Sequence, residues 1–287
     1  MISVGITGAE SKHSKAFAEL LKSGMFPDAR FGGIYGGDLP EKKQDGAWRS
    51  GGNRVFDSET ALIRANDAVL ICYRDGSRHL PCARMCAESG KPFFVDKPFS
   101  ITVKDADEII QNAVNADVPM MGGSTLVFDS QLNLARQAIP EARGLWVSYA
   151  ADLHSVYHGY HFYGSHLAEI MLTLRPGLPL SVSAFADGGS VTAVADYPNG
   201  FQAVLQSNPQ FTVPVVTVLS LNRVQMFQLD DTSCYRNGLS AFINMIKTEN
   251  PPIPYIRYRD SVASVNAVME SIRSGKPFVF VNQKVDL

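Results

Sequence analysis

The pattern of apolar and polar residues changes near Gly122 and Gly123. Before that point, short continuous apolar runs alternate with amphipathic segments, which is typical of buried parallel strands separated by covering helices. The pattern predicts strands over residues 2–7, 31–35, 68–72, 92–95 and 118–121, and helices over residues 14–22, 58–64, 78–88 and 103–115. Residues 1–121 are therefore predicted to form a doubly wound parallel sheet.

The second part of the chain has a different pattern. Helices are predicted over residues 130–138, 167–174, 239–247 and 261–273, and strands over residues 145–150 and 278–281. Between residues 180 and 229, several β-rich runs are broken by turn signals such as Asp187-Gly188-Gly189, which is typical of an antiparallel sheet. We expect residues 122–287 to form a second α/β domain with a mostly antiparallel sheet.

Composition narrows the class of protein. Hydrophobic residues make up 45% of the chain, charged residues 19%, and the formal net charge is −2. With charges of both signs mixed and no long apolar run, this balance predicts a globular protein that binds neither nucleic acid nor membrane. The N-terminus lacks a signal-peptide pattern. The four cysteines (Cys72, Cys82, Cys86 and Cys234) fit neither a disulfide framework nor a metal-ligand spacing, so we expect reduced thiols, a cytoplasmic location and no metal site.

The turn after the first strand has the form of a phosphate-binding loop. Between the strand and the next helix lie Gly8, Ala9, Glu10, Ser11 and His13, where backbone N–H groups and the helix dipole favour an anion. With Gly8 as the first glycine of the dinucleotide fingerprint, Glu10 and His13 occupy the other two glycine places. Glu10 brings negative charge near the phosphates unless its side chain points away. A plain strand-to-helix turn is the alternative.

Further candidate cofactor contacts follow two other predicted strands. Asp38 follows the strand over residues 31–35, where an acidic residue binds the adenosine ribose of NAD. The nearby Lys42 and Lys43 would instead favour the 2′-phosphate of NADP, and a solvated turn aspartate is a third interpretation. The strand over residues 68–72 leads into three more candidates: Tyr73, Arg74 and His79.

Lys97 is the strongest candidate for a catalytic group. It follows the predicted strand over residues 92–95, within the run Asp96-Lys97-Pro98. Ligands of open α/β folds bind at the carboxyl ends of the strands, where this lysine is expected to lie. Burial and a nearby cofactor would lower the pKa of Lys97 and make it a usable proton relay.

These motifs together resemble the glucose–fructose oxidoreductase, inositol dehydrogenase and rhizopine-catabolism family (Gfo/Idh/MocA). The family's Glu-Lys-Pro motif is similar to Asp96-Lys97-Pro98, and His79 matches a histidine that commonly follows its fourth strand. Residues 270–277 resemble its closing helix and turn, and residues 196–200 resemble a hairpin of its C-terminal sheet. The resemblance covers nearly the whole chain. It implies a Rossmann domain and a second domain with a large open sheet, a face that often forms a homodimer or homotetramer interface.

The resemblance also implies a cofactor and a chemistry. The cofactor would be NAD or NADP, with NAD slightly favoured, and the substrate a sugar, polyol or related small molecule. Lys97 would hydrogen-bond the reacting oxygen beside the nicotinamide, and Asp96 would lie near the nicotinamide ribose.

The resemblance extends to a second catalytic segment, with one departure. The family pattern Asp-x-Gly-x-His-x-x-Asp aligns its histidine with His166 and its last aspartate with Glu169. His166 is therefore the expected acid–base residue. The first aspartate is replaced by Phe162, which carries no proton, and the candidates for the missing role are His161 and Tyr163.

We therefore predict an NAD(P)-dependent dehydrogenase or reductase with Lys97, His166 and His161 as its catalytic residues. Phe162 and Glu10 leave two alternatives open. One is a family member that binds nucleotide or sugar without turnover. The other is redox-neutral elimination through transient oxidation by bound NAD.

Overall fold

The structure, a computed structural model, describes residues 1–37, 48, 51–230 and 232–281. The chain forms two compact units. The first contains Met1–Thr125 and Thr232–Arg259, and the second contains Leu126–Asp231 and Asp260–Leu287. The predicted boundary after residue 121 lies close to Thr125. The predicted second domain, residues 122–287, differs from the structure in the segment 232–259, which returns to the first unit.

The first unit is built on a parallel sheet in the order β2-β1-β3-β4-β5. Its strands are β1 (Ile2–Thr7), β2 (Ala29–Tyr35), β3 (Ala68–Ile71), β4 (Phe93–Asp96) and β5 (Met120–Gly123). Val55 adds a single parallel bridge to Ile34 of β2. With that bridge in the place of a third strand, the strand order is that of the Rossmann fold. The order in which the chain adds strands reverses beside β1, and ligands of such folds bind in the crevice at that point. The predicted parallel sheet is confirmed.

Four helices of this unit follow strands, and three of them have side-chain caps. They are α1 (Lys12–Lys22), α2 (Glu59–Ala65), α3 (His79–Glu88) and α4 (Val103–Asn115). Ser11 accepts a hydrogen bond from the N–H of His13, and Ser58 and Thr102 cap α2 and α4 in the same way. Each cap satisfies an N–H group that the first helical turn cannot pair.

The second unit packs two helices against a seven-stranded sheet. The helices are α5 (Ser130–Ala138) and α6 (His161–Leu174), and the main strands are β6 (Ala142–Tyr149), β7 (Ser181–Asp187), β8 (Ser190–Asp196), β9 (Gln202–Ser207), β10 (Val215–Ser220) and β11 (Val224–Gln228). All strand pairs are antiparallel except β6 with β9. Alternate residues such as Leu145 and Val147 are buried, whereas Trp146 between them is 42% exposed. The helices therefore cover one face of the sheet.

The chain then adds α7 (Ser233–Thr248), α8 (Ile256–Ser274) and the short edge strand β12 (Phe278–Val279). Helix α7 belongs to the first unit because its aromatic residues pack there: the ring centroids of Phe242 and Phe94 are 6.2 Å apart, and those of Tyr235 and Phe17 are 5.7 Å apart. Short 3₁₀ turns cover Gly76–Arg78, Thr125–Phe128, Ile139–Glu141 and Pro198–Gly200.

Several predicted boundaries were wrong by a few residues, and the helix predicted over residues 167–174 was too short. Helix α6 begins at His161, and its N–H groups are engaged from the first turn, where Gly164 donates to the carbonyl of Tyr160 at 2.7 Å. The prediction failed because histidine and aromatic residues have weak helix propensity, whereas packing in the folded chain decides the outcome here. Among the described residues, no helix combines the length and apolar character needed to cross a bilayer.

Candidate active site

The turn between β1 and α1 passes very close to the chain that leaves β3. Gly8 has φ +80°, and a Cβ atom at this position would lie 2.4 Å from the carbonyl carbon and oxygen of Cys72. Only glycine fits, because both the backbone conformation and the space exclude a side chain. This is the role expected of the first glycine in a dinucleotide loop.

The N–H groups of this turn are largely engaged within the protein. Gly8 donates to the carbonyl of Tyr35 at 3.1 Å, Ala9 donates to that of Gly36 at 2.5 Å, and Ser11 donates to that of Gly8 at 3.1 Å. The start of α1 at Lys12, directly after the turn, still directs the positive end of the helix dipole there. A bound pyrophosphate would therefore depend more on the helix end and on side chains than in a loop with three glycines.

Glu10, in the second glycine place, does not leave its charge uncompensated. Its Oε1 atom lies 3.6 Å from Nη2 of Arg74, and its Oε2 atom lies against Gly37, where it would be 1.6 Å from a Cβ atom. The carboxylate thus turns toward the end of β2 and toward the loop that follows β3 (the β3 loop), where Arg74 compensates its charge.

The β3 loop carries a second set of predicted contacts. Tyr73 is buried and donates to Oε1 of Glu59 at 2.7 Å, while the Arg78 guanidinium lies 4.0 Å from the centre of the Tyr73 ring and donates to the carbonyl of Gly37. Burial, with Glu59 beside it, raises the pKa of Tyr73 far above its ordinary value. Tyr73 is therefore a neutral structural donor rather than a proton relay.

His79, a predicted cofactor contact, lies between two backbone carbonyls. The ring is fully buried, with Nε2 2.9 Å from the carbonyl oxygen of Tyr73 and Nδ1 3.3 Å from that of Phe99. Burial lowers the pKa of His79, although the two carbonyls and Asp96 oppose this effect. Because both nitrogens face backbone oxygens, His79 joins the β3 loop to the segment after Lys97. These contacts are structural, and a cofactor contact of His79 stays a prediction.

Lys97 and Asp96 lie where β4 ends, at the edge of the sheet where β1 leads into the Gly8 turn. Both are buried, at 3% and 2% exposure, and the Lys97–Pro98 peptide bond is cis. Nδ1 of His13 lies 2.9 Å from Oδ1 and 2.7 Å from Oδ2 of Asp96. Burial raises the pKa of Asp96, but His13 and Lys97 outweigh that effect and lower it below its ordinary value. The carboxylate next to Lys97 is thus held ionised.

In the second unit, His166 is buried on α6 between two tyrosines. Its ring centroid is 5.1 Å from that of Tyr163 and 5.5 Å from that of Tyr149. Phe162 extends the same aromatic cluster, 4.9 Å from Tyr163 and 5.0 Å from Tyr157. Instead of an aspartate, the structure thus places apolar ring surface beside the predicted acid–base histidine.

His161, the predicted replacement for that aspartate, already has partners at both ring nitrogens. Nδ1 lies 3.0 Å from the carbonyl oxygen of His158, and Nε2 lies 2.7 Å from Oδ1 of Asn266. Tyr163, which contacts the His166 ring directly, is better placed to assist it.

The structure therefore groups most predicted residues of the first unit around the Gly8 turn and Lys97, while Asp38 lies outside the described residues. Two contributors were missed. Trp48 donates from Nε1 to the carbonyl of Ala9 at 2.8 Å, and Tyr235 packs edge-on against His13 at 4.9 Å. An isolated tryptophan in a polar segment was the only signal for Trp48, and nothing in the sequence signalled Tyr235. The described residues contain no group of three His, Cys, Asp or Glu side chains arranged to hold a metal ion.

Comparison with known proteins agrees with this arrangement. Residues 2–124 match the model of a family described as "Oxidoreductase family, NAD-binding Rossmann fold", GFO_IDH_MocA. No curated protein matches the chain.

Solved structures share the fold over nearly the whole chain. Myo-inositol 2-dehydrogenase from Lactobacillus plantarum has a TM-score of 0.84 at 11% identity, with 98% of this chain and 99% of that chain covered. UDP-N-acetylglucosamine 3-dehydrogenase from Acidithiobacillus ferrooxidans has a TM-score of 0.78 at 17% identity, with coverage of 95% and 98%. GenD2 of gentamicin A biosynthesis, solved in complex with NAD, has a TM-score of 0.83 at 12% identity, with coverage of 98% and 96%.

Proposed function

We propose, from the membership of residues 2–124 in the Gfo/Idh/MocA family of NAD-binding oxidoreductases, that this protein is a dehydrogenase or reductase of a sugar, polyol or related small molecule. NAD is the favoured cofactor and NADP the alternative. Two structural neighbours act, by their names, on an inositol and on a nucleotide sugar, which supports this substrate class.

The observation that carries the proposal is the burial of Lys97 at the carboxyl end of β4, next to an ionised Asp96. A buried lysine needs a partner or a function because taking its charge out of water is costly. Asp96 supplies a neighbouring negative charge, and the parallel sheet presents this end of the strand to ligands. Such a lysine can donate a hydrogen bond to a reacting oxygen and exchange a proton with it.

The residues at the Gly8 turn fit a dinucleotide. Gly8 allows the close passage of the chain, the α1 terminus favours the pyrophosphate, and Arg74 neutralises Glu10. When bound, NAD supplies the hydride acceptor for an alcohol, or in reduced form the hydride donor for a carbonyl. In the oxidation direction, Lys97 would hold the substrate oxygen and His166 would accept the hydroxyl proton. In the reduction direction, the same proton would return to the oxygen.

The second candidate is ligand binding without turnover. Phe162 favours it, because this residue packs among Tyr157 and Tyr163 and provides no acid–base group beside His166. The two candidates differ in what they require of Tyr163. A dehydrogenase would need Tyr163 to assist proton transfer through His166 in place of the missing aspartate, whereas a binding protein would not.

Replacement of Lys97 by alanine tests the proposal. We expect Lys97→Ala to retain NAD binding, measured by calorimetry, while turnover falls about 10²-fold or more because a proton-transfer group is lost. Lys104→Ala, at the exposed start of α4, is the matched control and should keep wild-type turnover. Full activity of Lys97→Ala would remove Lys97 from the mechanism. NAD binding by a wild type that oxidises or reduces no sugar or polyol would favour the second candidate.

A homodimer or homotetramer is also part of the proposal. The uncovered face of the seven-stranded sheet carries Trp146, Phe185 and Met226 at 42%, 64% and 73% exposure. Large apolar side chains exposed on one sheet face are typical of an interface. Trp146→Glu should shift the mass in sedimentation equilibrium to that of a monomer, whereas Leu134→Glu, at an exposed apolar position on α5, should not. An unchanged mass for Trp146→Glu would refute this interface.

We also propose a cytoplasmic location. All four cysteines are buried and none of them forms a disulfide, which fits a reducing compartment. Fractionation of the source cells, with detection of the protein by antibody, tests this directly.

A further inference from the structure

His13 occupies the third glycine place of the dinucleotide fingerprint, yet its side chain reaches a strand far away in sequence. It is the second residue of α1, and its Nδ1 atom contacts both carboxylate oxygens of Asp96, at 2.9 Å and 2.7 Å, across 83 residues of chain. In the sheet order, β3 lies between β1, which precedes α1, and β4, which ends at Asp96. The contact therefore ties the start of the first helix to the end of a strand two places away.

The surroundings of this pair make it a defined structural feature. The His13 and Asp96 side chains are only 8% and 2% exposed. Tyr235 of α7 packs its ring edge-on against the His13 ring, 4.9 Å away, and the charge of Lys97 acts on the same carboxylate. The other titratable groups that interact with Asp96 are His79 and Cys72.

A glycine at position 13 would leave this part of the site incomplete. In the standard fingerprint, the third glycine allows the helix to pack closely on the strand. Here the imidazole takes the glycine place and supplies an N–H donor to a buried carboxylate, which would otherwise lose one of the groups that compensate its charge. The side chain that replaces the third fingerprint glycine is thus the same side chain that partners the buried Asp96.

We infer that His13 is a positioning residue: by binding Asp96 from the start of α1, it holds the Asp96-Lys97 segment in the geometry that the lysine needs. On the other side, the buried His79 ring lies between the carbonyls of Tyr73 and Phe99, so a buried histidine contacts the chain on each side of Lys97. This inference rests on the proposed function, because it assigns His13 an effect on the reaction through Lys97. It predicts that turnover depends on an N–H donor at position 13 and not on the absence of a side chain there.

Four variants separate these explanations. His13→Gly restores the fingerprint glycine, and His13→Leu fills the space without a donor. His13→Asn places a neutral amide donor near the Nδ1 position, and Asp96→Asn removes the charge that His13 binds. His154→Asn, at an exposed histidine, is the control.

With the substrate that the wild type turns over, we expect kcat of His13→Gly and His13→Leu to fall about tenfold to 100-fold, because small displacements of a catalytic group are costly. We expect the KM for NAD to change less than about threefold and kcat of His13→Asn to stay within about threefold of wild type. Combining His13→Leu with Asp96→Asn should lower kcat no further than Asp96→Asn alone, because both changes break one contact.

The inference is overturned if His13→Gly equals or exceeds the wild type in kcat, if His13→Asn is as impaired as His13→Leu, or if the effects of His13→Leu and Asp96→Asn multiply. A wild type without turnover refutes the proposed function instead. In that case, urea unfolding of the same variants without cofactor still tests the pair. Additive losses of unfolding free energy would show that His13 and Asp96 do not act together.

Discussion

Gly8 offers a sharp test of the close passage at the proposed cofactor loop. In Gly8→Ala, the new methyl group would lie 2.4 Å from the carbonyl carbon and oxygen of Cys72 and 2.6 Å from the amide nitrogen of Tyr73. These are backbone atoms, so they cannot move aside as a flexible side chain would. The φ of +80° adds a second penalty of roughly 1–2 kcal/mol for any L-residue with a Cβ atom.

Gly24 provides the matched control, because it has φ +79° and no heavy atom within 4 Å of the position that a methyl group would take. Gly24→Ala should therefore lose only the backbone penalty, roughly 1–2 kcal/mol. Gly8→Ala should lose roughly 1–3 kcal/mol more, the usual cost of forcing an extra methyl into filled space. Equilibrium urea unfolding followed by circular dichroism measures both losses. Equal losses for the two variants would refute the close passage at Gly8.

Three further predictions follow from the buried groups. The pKa of Asp96 is lowered in the folded protein, so its ionised form adds stability above pH 3.8, the ordinary pKa, and this added stability is lost as pH falls through the lower folded pKa. Asp96→Asn should therefore flatten the acid side of a curve of unfolding free energy against pH, measured by urea unfolding. An unchanged slope on the acid side would contradict this prediction. Burial raises the pKa of the Cys72 and Cys82 thiols, so a thiol reagent should label them only in denaturant, and rapid labelling of the folded protein would be the contrary result. His161→Ala should lower the melting temperature by loss of the Asn266 contact while leaving turnover within about threefold, and a loss of turnover as large as that of His166→Ala would restore His161 as a catalytic residue.

The sequence predicted the parallel sheet well because its strands are buried on both faces. β1, β3 and β4 are predominantly apolar and buried almost throughout, and such strands followed by amphipathic helices allow few arrangements. The return of α7 to the first unit could not be predicted in this way. It depends on contacts such as Phe94 with Phe242, which join residues distant in the chain, and local periodicity contains no information on them.

The residues of the candidate site also differ in whether local sequence could predict them. The Gly8 turn and the Asp96-Lys97-Pro98 run were visible as local motifs. The partner of Asp96 was not, because the sequence marks His13 only as a residue in a glycine place of the fingerprint, and its reach to β4 depends on the sheet order. For His79, its position beside a strand suggested a cofactor contact, whereas in the folded chain both of its ring nitrogens face backbone carbonyls.

Hydride transfer itself can be measured most directly with a labelled substrate. Purified protein is incubated with NAD and with sugars or polyols that carry deuterium on the carbon bearing the reacting hydroxyl, and the nicotinamide product is analysed by mass spectrometry. We expect reduced nicotinamide that carries the deuterium, formed by the wild type and about 10²-fold or more slowly by Lys97→Ala. Conversion of substrate without deuterium in the cofactor pool, or equal transfer by Lys97→Ala, would contradict it.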